Sequence, residues 1–217
     1  MPKHNIILTV LITLGVVSML FFGLDLLQNT NPSTQVYDFE GITRPIAYSE
    51  TPVQGGKNAK LAIYEFGDFT CPVCKSIQPF MTQIMSLYSE DVVRVWKDFP
   101  VRSELSEQTA IAARCSHEQD NFWLYKGWIF SNQDALSQSL FVAAANELGL
   151  DADKFAKCLG DPDIKDIVNR DFQEGLALGV NSTPTLVIGD VALTEVSSFE
   201  ELESLVLQEL SKIGDKK

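Results

Sequence analysis

The chain has 217 residues, 45% of them hydrophobic and 21% charged, with a formal net charge of -12. That length gives one well-cored domain plus a tail or anchor, and the composition argues against extensive disorder. The acidic balance disfavours nucleic acid, because phosphate binding needs clustered Lys and Arg.

The first segment differs from the rest. After Lys3 and His4, nineteen residues from Ile6 to Leu24 carry no charge, and Asp25 closes the run. At a helical rise of about 1.5 Å per residue, that nearly matches a hydrocarbon core of roughly 30 Å. A cleavable signal has a shorter apolar run and a small-residue cleavage site. The exit here, Phe21-Phe22-Gly23-Leu24, is bulky, and no cysteine follows for lipid attachment. Residues 1–27 are therefore expected to be an uncleaved transmembrane anchor, with a cleaved signal sequence as the alternative. Lys3 on the short side puts the N-terminus in the cytoplasm and the body of the chain outside it. Residues 28–47 read as a polar linker and lead-in.

Val36 to Lys60 looks loosely extended. Leu61-Ala62-Ile63-Tyr64-Glu65-Phe66 is strand-like and ends at Gly67-Asp68. A helix follows, with Pro72 in its first turn and Ile77, Phe80, Met81, Ile84, Leu87 and Tyr88 at helical spacing. Pro79 should kink it. Val92 to Trp96 is the next strand. From Ser103 to Leu178 the pattern is helical, with breaks near Gln119-Asp120, Asn132-Gln133, Gly149 and Gly160-Asp161-Pro162. Thr185–Ile188 and Val191–Leu193 form a hairpin around Gly189-Asp190. A last amphipathic helix carries Phe199, Leu202, Leu205, Val206 and Leu210, with Ser197 and Glu200 as its capping box. The order predicts an α/β sheet with helices on its faces and an inserted helical block at about 103–178.

Cys71-Pro72-Val73-Cys74 stands where strand and loop give way to a helix. Unpaired N–H groups and partial positive charge there stabilise a thiolate. A cysteine so placed can fall from about 8.5 to roughly 3.5–7.5. Cys71 is expected to be the exposed attacking sulfur, and Cys74 the buried resolving one a turn later. Zinc would want a second close Cys or His pair, which Cys115, Cys158, His4 and His117 do not make. No metal or cofactor is expected. A purely structural disulfide in so small a ring stabilises little. Glu65, in an otherwise apolar strand, would have its pKa raised by burial without a partner and could exchange a proton with Cys74. The even cysteine count suggests a structural Cys115–Cys158 disulfide, with two buried thiols or an auxiliary redox couple as alternatives. Phe122, Trp123, Trp128 and Phe130 are assigned to packing within the helical block.

Tyr64 through Cys74 resembles the active-site segment of the DsbA-like thiol:disulfide oxidoreductases of the thioredoxin superfamily. Thr51-Pro52-Val53-Gln54-Gly55, Lys97-Asp98-Phe99-Pro100 and Asn181-Ser182-Thr183-Pro184-Thr185 resemble that branch's lead-in, second-strand end and cis-proline loop. The resemblance implies a thioredoxin-like domain over 48–213, a cis Pro184 against the cysteine pair, and Thr183 binding an extended substrate through its backbone. It also implies a proton-transferring acid at Glu65.

The function expected is oxidation of dithiols in exported proteins by a Cys71–Cys74 disulfide, with a membrane redox partner restoring it. Reductase or isomerase activity is the alternative, since Val73 stands where strong oxidants of this branch often have His. A reading of another class is an anchored binding or chaperone module with structural cysteines.

Overall fold

The computed structural model describes residues 43–214. The expected anchor and most of the linker lie outside these residues, and among the described residues no helix is long and apolar enough to cross a membrane.

Five strands form one sheet in the order β1-β3-β2-β4-β5: β1 Val53–Gly55, β2 Leu61–Gly67, β3 Val92–Asp98, β4 Thr185–Ile188 and β5 Val191–Leu193. β2 and β3 run parallel, while β1, β4 and β5 join antiparallel. β2 is central and covered on both faces, so it reads as a near-continuous apolar run rather than an alternating one. β1 falls inside the segment read as merely extended. Three residues long, with exposed Val53 and Gly55, it carries no periodic signal and exists because β3 offers an open edge, pairing Val53 with Val95.

α1 Pro72–Ser76 and α2 Gln78–Tyr88 occupy the stretch read as one kinked helix. The chain breaks at Ile77, because Pro79 has no N–H with which to continue the ladder to the Lys75 carbonyl. Ile77, Met81, Ile84 and Met85 pack with Leu61, Ile63, Leu186 and Ile188 of the sheet and with Leu202 and Val206 of α8 Phe199–Gly214. The cap of α8 sits one residue later than expected: Ser198 Oγ accepts from Glu201 N–H, and Glu201 Oε2 accepts from Ser197 N–H at 2.9 Å.

The helical insertion lies between β3 and β4. It comprises α3 Ser106–His117, α4 Phe122–Ser131, a 3-10 turn Gln133–Ala135, α5 Gln138–Glu147, α6 Ala152–Cys158 and α7 Pro162–Ala177. Asp151 and Asp161 cap α6 and α7 by accepting from N–H groups of their first turns. Cys115 of α3 and Cys158 of α6 form a disulfide, with Cα atoms 5.6 Å apart. The insertion is not a separate body. Phe122 and Phe130 pack on Trp96 of β3 and on Phe69 of the loop after β2. These aromatics join the insertion to the sheet rather than filling the block alone.

Below that junction Lys97, Asp98, Arg114 and Asp171 are buried together. Arg114 pairs with both aspartates, and Lys97 pairs with Asp171 and, at 3.0 Å, with Glu174. Asp98 is pushed up by burial, against the pull of Arg114.

Candidate active site

The carboxyl end of β2 sets the site. A Cβ at Gly67 would run into the Trp96 indole, so only glycine lets that ring lie against the strand's end. Trp96 donates to Asp98 Oδ1 at 2.7 Å, and its ring lies tilted against Phe69 with centroids 4.6 Å apart. Asp68, next in sequence, is buried and used on all sides. Its Oδ1 accepts from Thr70 N–H at 2.8 Å and from the Thr70 hydroxyl at 3.0 Å. Its Oδ2 accepts from the N–H groups of Val101 and Arg102 at 2.8 and 2.7 Å. One carboxylate thus fixes the cysteine loop to the segment leaving β3.

Cys71 is the N-cap residue of α1, in extended geometry with φ -85° and ψ 120°, and Pro72 takes the first helical position, where its missing N–H costs nothing. Gln133 reaches from the 3-10 turn to donate to the carbonyls of Phe69 and Cys71 at 2.8 and 2.9 Å. The Thr183–Pro184 bond is cis, and Cys71 Sγ lies 3.4 Å from the Thr183 carbonyl oxygen. Val73 is half exposed, at 50%, and marks the open side of the pair.

Both cysteines are free thiols. Cys71 retains 5% of its surface and Cys74 none. Cys71 is thus more covered than expected of an attacking sulfur, because the cis-proline loop lies against it, but it remains the outer of the two. The Cys71 pKa falls from 9.0 to about 5. The Cys74 side-chain hydrogen bond contributes most. Burial opposes it, and Thr183 and the N–H groups of Cys74 and Val73 add to the lowering. The neighbouring thiol thus outranks the helix amides that sequence reasoning relied on. Cys74 moves far upward, chiefly because its proton is held against Cys71 and then because it is buried. Its sulfur also accepts from Asp68 N–H at 3.5 Å.

Glu65 corrects an expectation. It is fully buried, yet it has partners: Arg94 Nε and Nη2 donate to Oε2 at 2.9 and 2.6 Å, and Gln78 Nε2 donates to Oε1 at 2.9 Å. Lys126 Nζ stands 3.4 Å from Oε2. Burial pushes the carboxyl up, but Arg94, Lys126 and the hydrogen bonds outweigh it and hold the pKa below the ordinary value. Glu65 is an ion-paired carboxylate, not the isolated acid its strand suggests.

Sequence reasoning missed Asp68, Gln78, Arg94, Lys126 and Gln133. Arg94 and Lys126 carried the same signal as Glu65: a lone charge in an otherwise apolar strand or helix.

A nucleophilic sulfur held ionised near neutral pH, a protonated partner one turn away and the Thr183 carbonyl beside them can together exchange with a disulfide. A family model described as thioredoxin matches residues 48–208. The chain belongs to the thioredoxin family. Among its thioredoxin-fold neighbours, the catalytic domain of Proteus mirabilis ScsC superposes with a TM-score of 0.68 at 25% identity, over 76% of this chain and 91% of that one. Oxidised BdbD of Bacillus subtilis superposes with a TM-score of 0.68 at 21% identity, over 75% and 94% of the two chains, a likeness of fold alone. A relative described as a probable disulfide bond formation protein D, from Bacillus cereus, is 26% identical across 76% of this chain and 82% of its own length. This thioredoxin-family chain is also 30% identical, over 68% of its length, to an Na(+)/H(+) antiporter NhaA 1 of Mycolicibacterium gilvum. The chain spans only 24% of that antiporter.

Proposed function

We propose that this protein is a thiol–disulfide oxidoreductase that oxidises dithiols of exported proteins outside the cytoplasm. A substrate thiolate attacks Cys71 Sγ of the Cys71–Cys74 disulfide, and the electron pair leaves on Cys74, which takes up a proton. The substrate's second thiolate then attacks its own sulfur in the mixed disulfide and releases Cys71 as a thiolate. Two electrons pass from substrate to the cysteine pair, and a membrane redox partner accepts them to regenerate the disulfide.

The observation that carries this reading is Cys71 at the N-cap of α1 with its sulfur against the cis Thr183–Pro184 loop, where its pKa is held down to about 5. A stabilised thiolate favours the dithiol form, and a favoured dithiol form makes the disulfide form oxidising. In this reading Thr183, beside the cis Pro184, offers its backbone to an extended substrate, and Glu65, held ionised by its cation partners, exchanges a proton with Cys74 by way of water. The likeness to a disulfide bond formation protein D supports the exchange chemistry. The Cys115–Cys158 disulfide supports an oxidising compartment, and the apolar run Ile6–Leu24 supports tethering to the membrane.

Reductive or isomerase action is the second reading, favoured by uncharged Val73 and by Thr183 before the proline. Equilibration of the pair with glutathione separates the two. A potential near about -120 mV supports the oxidant and one near about -270 mV the reductant. Cys74→Ser should accumulate mixed disulfides with exported proteins. Failure to trap any, together with unchanged activity in Cys71→Ala, would leave only a binding module.

A further inference from the structure

Lys126 comes from the middle of α4, among Phe122, Trp123, Tyr125, Ile129 and Phe130. It keeps 2% of its surface. Its ammonium lies 4.4 Å from the centre of the Trp96 ring and 5.1 Å from that of Phe130. It donates to Gln78 Oε1 at 2.6 Å and stands 3.4 Å from Glu65 Oε2. Gln78 turns its amide nitrogen the other way, to Glu65 Oε1 at 2.9 Å and to the Cys74 carbonyl at 2.6 Å. The charged groups beside the ammonium are Glu65 from β2 and Arg94 from β3, which shares the Gln78 Oε1 acceptor with it, and Cys74 of α1 is joined to it through the Gln78 amide.

The charges in this cluster do not balance. Arg94 already gives Glu65 two hydrogen bonds, so the carboxylate is neutralised before Lys126 arrives. A second buried cation beside a matched pair is strongly disfavoured unless another negative charge forms there. The group that can supply one is Cys74. We propose that Lys126 is held as the counter-charge for the Cys74 thiolate, with Gln78 fixing its place, so that α4 of the insertion governs the step in which Cys74 attacks or leaves. This rests on the reading of Cys71–Cys74 as the exchanging pair.

In the resolving direction, Cys74 gives its proton to water and its sulfur attacks Cys71 in the mixed disulfide. The Cys71–substrate bond breaks, and the electron pair leaves on the substrate sulfur, which takes a proton. The reverse step returns the pair to Cys74. A groove of about 710 Å³ lined by Lys75, Gln78, Arg94, Trp123, Lys126 and Phe130 opens beside the cluster. Burial and then Arg94 push Lys126 down, while Glu65 and Cys74 push it back up, so a negative charge on Cys74 favours the ammonium form. Lys126 and Gln78 are positioning residues, since neither touches the substrate sulfur.

The test mixes the reduced full-length chain, in detergent, with excess oxidised glutathione and quenches in acid at intervals. Mass then reads the Cys71–glutathione adduct as it forms and as Cys74 resolves it. In Lys126→Gln, resolution at pH 7 should slow about tenfold and its pH midpoint rise by about one unit, the two being the same quantity. Adduct formation by Cys71 should not change, and Lys126→Arg should restore most of the rate. Gln78→Met should slow resolution in the same direction, and it decides alone if Lys126→Gln does not fold. An unaltered pH profile for resolution, or equal slowing of both phases, overturns the proposal. A wild-type chain that forms no adduct overturns the exchange reading itself.

Discussion

At the scale of single residues, two titrations carry the predictions. Cys71 has a folded pKa depressed from 9.0 to about 5. A depressed group adds stability above its unfolded pKa and loses it as pH falls through the folded one. The dithiol form should therefore gain stability over the disulfide form as pH rises from about 5 towards 9. Thermal unfolding of both forms across that range checks it; parallel curves contradict it. Iodoacetamide should modify Cys71 with a midpoint near 5. Glu65 is also depressed, so its contribution is whole above its ordinary 4.5 and disappears as pH drops through the folded value. Glu65→Gln leaves Arg94 and Lys126 facing no carboxylate, and urea unfolding should register a loss of about 3–5 kcal/mol. Glu65 itself was conspicuous in the sequence. Arg94 and Lys126 carried the same lone-charge signal, but their pairing with Glu65 was not legible, because they lie 29 and 61 residues away and only the fold brings them to it.

At the scale of elements, the legible parts were those whose signal is local. β2, the β4–β5 hairpin and the breaks in the insertion follow from apolar runs and from Gly, Pro and Asp punctuation. Gly189, at φ 59°, makes the hairpin turn. β1 was invisible because its pairing, not its composition, makes it a strand. The offset cap of α8 shows the same limit, since Ser197 and Ser198 offer the same chemistry and only the helix register selects Ser198. Two element-level outcomes follow. Gly67→Ala should displace the Trp96 indole from the end of β2, lowering stability by about 1–3 kcal/mol as overpacking does and quenching or shifting Trp fluorescence. Removing the link between α3 and α6 with Cys115→Ser and Cys158→Ser should cost about 2–5 kcal/mol in urea unfolding, while the alkylation midpoint of Cys71 stays in place. A shifted midpoint would mean that the bridge shapes the cysteine pair.

At the scale of the molecule, the insertion does more than cover one face of the sheet. It contributes Phe122 and Phe130 to the packing around Trp96, Arg114 to the buried charges beneath β3, and Lys126 to the cluster behind the cysteines. None of this was readable from periodicity, which located the helices but not which faces meet the sheet. Gln133 draws out what that means. By donating to the Phe69 and Cys71 carbonyls it braces the backbone that carries the sulfur. The cysteine loop is therefore shaped from outside the sheet and its flanking helices, and a minimal version of the protein, trimmed to those elements, would keep its cysteines yet lose the bend that presents them. Grafting a foreign helical block would succeed only with an amide side chain at the same spot.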